Sequence, residues 1–265
     1  MPAIVVERRL GALADLSAED IRATVAELNA KAERLGCVIF EGRPHQPGVA
    51  VIFAGNVERF FMLPVARHLT CRVIYFQDLQ SGWFQGSDVL PDLQHVRDTL
   101  LVQEIGDKPC LFFGQSSGGY AALVASLGFP QSTVLSCAPQ TFSDGTAKRQ
   151  IGFFGVRCLS APDGLIDLRQ ALQAHHDDAF RAVIIAASEA ENPYTAHYWM
   201  DYLHALRLVG VPSVAVSIVR SNTHVIVHGR LNRFAELLGE LQTVMAATKE
   251  DRAQVVIKFL EAEFA

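Results

Sequence analysis

A serine placed between glycines is the first feature of the sequence that could do chemistry. Residues 114–118 read Gly-Gln-Ser-Ser-Gly and match the pattern G-x-S-x-G. In that pattern the serine stands on a sharp turn between a strand and a helix, which exposes its hydroxyl and brings the free N–H groups of the helix N-terminus to the same place. An apolar run precedes the pattern here and a helix-like run follows it. The pattern predicts a serine nucleophile, and the alternative is a glycine-rich turn that only packs against a sheet or binds an anion.

The two adjacent serines are not equivalent. With Ser116 in the turn, Gly114 and Gly118 fall two residues to either side of it. With Ser117 in the turn, the residue two positions before it is Gln115, whose side chain would crowd the neighbouring backbone. We therefore predict that Ser116 is the nucleophile and that the backbone N–H of Ser117 is an oxyanion donor.

The strands and helices that must position this serine are predicted from runs of apolar residues in the sequence. Seven short runs are almost continuously apolar and rich in β-branched or aromatic residues, which is typical of strands covered on both faces. They span residues 37–42, 49–55, 71–76, 110–114, 132–138, 182–188 and 213–219. Helical patterns alternate with them at about 57–68, 91–105, 117–128, 165–180, 194–209, 230–246 and 249–263.

This alternation predicts an α/β fold with a mostly parallel sheet and helices on both faces. The chain has 265 residues, half of them hydrophobic, and shows no repeat or linker between halves, so residues 1–265 are predicted to form one domain. Residues 1–36 are predicted to be a helical extension, because a helix N-cap pattern begins at Ser17. Residues 139–164 lack a clear period and are predicted to be a short lid loop rather than a large cap domain.

A serine hydroxyl needs a base to take its proton, so one of the nine histidines should lie near it. His224 follows the run 213–219 by a few residues and precedes a helix. That position is the carboxyl end of a predicted parallel strand, the same edge at which Ser116 lies. His224 is the predicted base, and His228, farther from the strand end, is its rival.

A carboxylate should orient the histidine from the same edge of the sheet. Glu189 and Glu191 come directly after the run 182–188. We choose Glu191, because such an acid usually follows its strand by a few residues, and Glu189 lies closer to the strand end. Asp144, after the preceding strand, and Asp201, on the following helix, are the reserves.

The loop after the run 49–55 is expected to supply a second oxyanion donor, and Asn56, or Val57, occupies that place.

The sequence has no glycine-rich phosphate-binding motif, no H-E-x-x-H and no C-x-x-C pair, so we expect no nucleotide cofactor and no metal. The net charge of −5 does not favour nucleic acid. No apolar run reaches the length of a membrane span, and the N-terminus lacks the apolar core of a signal peptide. A cytoplasmic protein is expected.

With Ser116, Glu191 and His224 in that order along alternating strands and helices, the sequence resembles the α/β-hydrolase superfamily. The resemblance covers about residues 37–246 and is most specific at the segment GQSSGG. It implies acyl transfer through a covalent acyl-enzyme on the serine, with a small-molecule ester or thioester as substrate and no cofactor.

Three segments are also similar to parts of bacterial O-acetyltransferases that modify surface polysaccharides: YFQDLQSGWFQGSD (75–88), GQSSGGYAAL (114–123) and CAPQT (137–141). This narrower resemblance implies acetyl-CoA as co-substrate and a saccharide hydroxyl as acceptor. Three functions therefore stay open: a serine esterase or thioesterase, an O-acetyltransferase with the same triad, and a non-catalytic protein that keeps the turn as a folding element.

Overall fold

The computed structural model of the protein describes most of the chain. The described residues are 4–55, 58–80, 83–141, 164–175, 177–187, 195–220 and 224–264. Within them the strands are β1 Val6–Arg9, β2 Cys37–Phe40, β3 Val49–Phe53, β4 Arg72–Phe76, β5 Cys110–Gln115, β6 Thr133–Cys137, β7 Phe180–Ala187 and β8 Val214–Arg220.

The described strands form one open sheet of eight strands in the order β1-β2-β4-β3-β5-β6-β7-β8. Strands β3 to β8 are parallel to one another, whereas β1 and β2 run in the opposite direction. The carboxyl ends of β3, β5, β7 and β8 therefore meet at one edge of the sheet, where ligands bind in open α/β folds.

Helices cover both faces of the sheet. They are α1 Ala18–Ala30, α2 Leu93–Val96, α3 Val102–Ile105, α4 Ser117–Ser126, α5 Leu168–Ala174, α6 Thr195–Leu206, α7 Leu231–Thr243 and α8 Lys249–Phe264, and a π-helical turn, Arg97–Leu101, joins α2 to α3. None of the described helices is both long enough and apolar enough to cross a membrane.

Alternate residues of each inner strand point into two separate cores, one on each face of the sheet. In β2, Val38 joins the first core and Ile39 joins the second. The first core is closed by α1, α7 and α8, and includes a row of aromatic rings in which the Phe234 centroid lies 6.1 Å from Phe113 and 5.0 Å from Phe259. The second is closed by α2 to α6. Burial on both faces explains why these strands read as continuous apolar runs.

The predicted fold class is confirmed, and each of the seven predicted strands has a counterpart from β2 to β8. The prediction of residues 1–36 as a helical extension is right for α1, whose N-cap is Ser17, and wrong for Val6–Arg9, which form the edge strand β1 beside β2. The helix predicted at 57–68 is also wrong, because its described part holds turns and a short 3₁₀ helix, Leu63–Ala66. Most of the predicted lid, 142–163, lies outside the described residues, and the single-domain assignment stays a prediction.

Candidate active site

Ser116 stands at the junction of β5 and α4. Its backbone has φ 57° and ψ −121°, a conformation that residues other than glycine rarely adopt. Its N–H donates to the carbonyl of Cys137 at the end of β6 (2.8 Å), and its carbonyl accepts the first helical bond, from Tyr120 N–H (3.1 Å). Ser116 is partly exposed, while its neighbours Gln115 and Ser117 are fully buried. The turn presents this one serine to solvent at the carboxyl edge of the sheet.

The glycines on either side are required by close backbone contacts. A Cβ on Gly114 would lie 2.1 Å from the carbonyl oxygen of Gly118. A Cβ on Gly118 would lie 2.2 Å from the carbonyl oxygen of Phe53 and 2.7 Å from that of Ala54. All three distances are far inside van der Waals contact, and the atoms involved belong to rigid backbone. The helix that carries Ser116 can therefore approach β3 and β5 only with glycine at these positions.

His224, on the segment after β8, is brought to Ser116. Its Nε2 lies 3.1 Å from Ser116 Oγ. Burial disfavours the protonated imidazole, but the carboxylates of Asp201 and Glu58 outweigh it and raise the pKa of His224 above its ordinary value. An imidazole with a raised pKa is a stronger proton acceptor, which is the property that a general base for serine needs.

The carboxylate at the other side of the imidazole belongs to Asp201. Its Oδ2 lies 2.6 Å from His224 Nδ1, and the side chain is 2% exposed. This contact fixes the tautomer in which Nδ1 carries the hydrogen, so that Nε2 is free to accept a proton. Asp201 lies within α6, Thr195–Leu206, rather than directly after β7.

The structure therefore places one of the two reserve aspartates at the histidine. Glu191, the acid chosen from the sequence, lies outside the described residues, as do Glu189 and Asp144. The sequence predicted an acid a few residues after the strand, whereas Asp201 is the seventh residue of the next helix, nearly two turns from its start. One signal could have found it: Asp201 and His204 are polar residues, three apart, on the buried side of α6.

Ser117 is the first residue of α4, where the backbone N–H has no acceptor within the helix. The residue is fully buried, and its Oγ has no hydrogen-bond partner. The N–H of Ser117 therefore adjoins Ser116 at a helix N-terminus, a position that favours negative charge. Asn56, the other predicted donor, and Val57 lie outside the described residues.

His228, the rival for the base, has a different partner. Its Nε2 lies 2.6 Å from Glu58 Oε1, and this hydrogen bond raises the pKa of His228. It begins a short 3₁₀ turn before α7, and its side chain is 45% exposed. His224, not His228, contacts the serine that the sequence predicted to be the nucleophile.

Comparison with known proteins agrees with this architecture. Est1E from Butyrivibrio proteoclasticus is similar to the chain with a TM-score of 0.53 and 13% identity, over 80% of this chain and 93% of that one. A structure from work on carboxylesterases of the thaumarchaeon Nitrososphaera gargenis has a TM-score of 0.50 and 13% identity, over 79% and 94%. An alpha-beta serine hydrolase homologue from Coxiella burnetii has a TM-score of 0.49 and 15% identity, over 77% and 89%.

No protein-family model matches the sequence, and no curated protein matches it significantly. At identities of this size the likeness to solved structures concerns the fold. The strand order, the single change of strand direction and the likeness to the Butyrivibrio proteoclasticus and Nitrososphaera gargenis structures agree, and the chain has the α/β-hydrolase fold.

Proposed function

We propose that the protein hydrolyses an ester or a thioester through a covalent acyl-enzyme on Ser116. The observation that carries the proposal is a chain of two contacts: Asp201 Oδ2 to His224 Nδ1 at 2.6 Å, and His224 Nε2 to Ser116 Oγ at 3.1 Å. A serine hydroxyl is a poor nucleophile at neutral pH until a base takes its proton. These two contacts supply His224 as the base and Asp201 as the group that orients it. Since one fold hosts many functions, the proposal rests on these side chains rather than on the fold.

In the proposed reaction, Ser116 Oγ attacks the carbonyl carbon while its proton passes to His224 Nε2. Asp201 stabilises the imidazolium that forms, without taking the proton itself. The imidazolium then protonates the leaving alcohol or thiol as its bond to the carbonyl carbon breaks. Water attacks the acyl-enzyme with His224 again as base, and release of the acid restores Ser116.

The negative charge that develops on the carbonyl oxygen needs donors that are already in place. The N–H of Ser117 adjoins the nucleophile at the start of α4, where the partial positive charge of the helix N-terminus adds to the effect. Asn56, which follows Gly55 after β3, is the proposed second donor.

The test is covalent labelling with a fluorophosphonate probe, together with turnover of a short-chain aryl ester. We expect the wild-type protein to react and the Ser116→Ala variant neither to react nor to turn over ester, with its fold intact by circular dichroism. Ser117→Ala is the matched control, because it keeps the backbone N–H and should still be labelled. Labelling of Ser116→Ala, or unchanged turnover by it, would refute the proposal.

A second assay, on the wild-type protein, tests the other two candidate functions, O-acetyl transfer and a non-catalytic role. Acetyl-CoA and oligosaccharides are supplied together, and release of free acetate alone supports hydrolysis. An acetylated saccharide would instead make the protein an O-acetyltransferase with the same triad. A folded wild-type protein that reacts with neither probe nor ester would favour the non-catalytic alternative.

A further inference from the structure

A second carboxylate lies beside the candidate site, and it is almost completely buried. Glu58, a few residues after β3, is 8% exposed. Its Oε2 accepts a hydrogen bond from Gly55 N–H (2.6 Å), and its Oε1 lies 2.6 Å from His228 Nε2. Gln115 Nε2 donates to the same Oε1 at 3.3 Å. A buried carboxylate is costly unless it is paired, and Glu58 meets this requirement with three partners.

Each partner belongs to a different segment of the candidate site. Gly55 follows β3, Gln115 is the residue directly before Ser116, and His228 lies four residues after His224. Gln115 extends the connection, because its Oε1 accepts from Val227 N–H at 2.9 Å while its Nε2 donates to Glu58. The side chain of Gln115 is fully buried. Glu58 and Gln115 thus join the nucleophile segment to the segment that carries the base.

We infer that Glu58 is a positioning residue, whose carboxylate holds the ends of β3 and β5 and the segment after β8 so that His224 Nε2 stays within reach of Ser116 Oγ. This inference rests on the proposed serine mechanism. Glu58 acts through Gly55, Gln115 and His228 and does not itself exchange a proton with the substrate.

Another buried carboxylate provides a matched control. Glu104 in α3 is 7% exposed and pairs with Arg8 and with Arg72, whose Nη1 lies 2.7 Å from Glu104 Oε2. Arg72 begins β4, at the amino ends of the parallel strands and opposite the edge that carries Ser116. Replacing Glu104 removes a buried, paired carboxylate without touching the candidate site. Any effect on turnover that is peculiar to Glu58 must then come from its three partners or from its charge near His224.

The experiment compares Glu58→Gln, Glu58→Ala and Glu104→Gln with the wild type in the rate of fluorophosphonate labelling and in kcat and KM for an aryl ester. We expect both Glu58 variants to lose about tenfold or more in kcat and in labelling rate, since misplacement of catalytic groups by about 1 Å costs on the order of a hundredfold. KM should change little, and Glu104→Gln should keep kcat within about twofold while losing thermal stability.

A second readout separates positioning from general loss of stability. The charge of Glu58 is one of the causes of the raised pKa of His224, so Glu58→Gln should move the acid limb of kcat/KM to lower pH, and Glu104→Gln should leave it in place. Should Glu58 variants fail to fold, His228→Gln breaks the link between Glu58 and the base segment at a half-exposed position, and a several-fold loss of kcat is expected.

The outcomes distinguish this inference from the proposed function. A wild-type protein that neither reacts with the probe nor turns over ester would overturn both. A reactive wild type, with folded Glu58 variants or the His228→Gln variant that label and turn over at the wild-type rate, would overturn the positioning role and leave the serine mechanism standing.

Discussion

The identity of the acid can be tested by replacing Asp201 with asparagine. The carboxylate of Asp201 is 2% exposed and lies 2.6 Å from His224 Nδ1. Asparagine fits the same space but can turn its NH₂ group toward the ring, in which case Nδ1 becomes the acceptor and the hydrogen moves to Nε2. His224 then presents N–H to Ser116 Oγ and cannot take its proton. The loss comes from the wrong tautomer, with the packing unchanged.

The expected loss in kcat is about 10⁴-fold, the size seen when the acid of a serine triad is replaced by its amide. At about 1.36 kcal/mol per factor of ten, this corresponds to about 5.4 kcal/mol of transition-state stabilisation. The assay is initial-rate hydrolysis of an activated aryl ester at a pH above the pKa of His224, with the fraction of active protein counted by fluorophosphonate labelling. Thermal unfolding of the variant should match that of the wild type closely.

Glu191→Gln is the informative variant to compare with Asp201→Asn, because Glu191 is the acid that the sequence favoured. If Asp201 serves the histidine, Glu191→Gln should retain kcat within about threefold, as a substitution away from the reacting groups does. A loss of less than tenfold in Asp201→Asn would refute the reasoning from the 2.6 Å contact. A larger loss in Glu191→Gln than in Asp201→Asn would return the role of the acid to Glu191.

Three further predictions follow from the described contacts. Gly118→Ala should abolish ester turnover and lower the melting temperature, because its Cβ would lie 2.2 Å from the carbonyl oxygen of Phe53; an active, stable variant would contradict this. The acid limb of kcat/KM should lie above pH 6.5, since the base must be neutral and the pKa of His224 is raised from that value; a limb below 6.5 would be inconsistent. Asp177→Asn should lower the free energy of unfolding by about 3–5 kcal/mol, measured by urea titration. The reason is that it leaves the fully buried Arg181 guanidinium without its paired carboxylate. A change below about 1 kcal/mol would show that the guanidinium finds another partner.

The inner part of the fold was predictable because local and tertiary signals agree there. Strands such as β3 and β5 are buried on both faces, so their sequences are continuously apolar and short. Strand β1 was missed for the opposite reason. It is an edge strand of sequence Val-Glu-Arg-Arg, and its charged side chains form ion pairs: Arg8 with Glu41, and Arg9 with Glu7 and Glu27. Charges of this kind protect an edge, but they give no hydrophobic period.

The candidate nucleophile and the candidate base could be chosen from the sequence because each adjoins a strand end, which fixes its place at the sheet edge. Ser116 follows β5 directly and His224 follows β8 by a few residues. Asp201 has no such anchor, since a residue within a helix reaches the site only through the way that the helix packs. That packing depends on contacts between segments distant in the sequence. The sequence hints at it only through the polar residues Asp201 and His204, three apart in α6, and does not say what they contact.

The placement of Asp201 therefore depends on what fixes α6, and the contacts of His204 supply part of the answer. His204, one turn after Asp201, is 4% exposed, and its Nδ1 accepts a hydrogen bond from Thr141 N–H at 3.0 Å, just beyond β6. Burial, then the nearby charges of Arg207 and His224, lower the pKa of His204 to about 4. An imidazole nitrogen that accepts a hydrogen bond from a backbone N–H must itself carry no hydrogen. The lowered pKa keeps His204 unprotonated at Nδ1 over the pH range in which His224 gains and loses its proton. The two histidines are thus separated by their surroundings: His224 can gain and lose a proton in the proposed reaction while the contact that helps to hold its aspartate does not change.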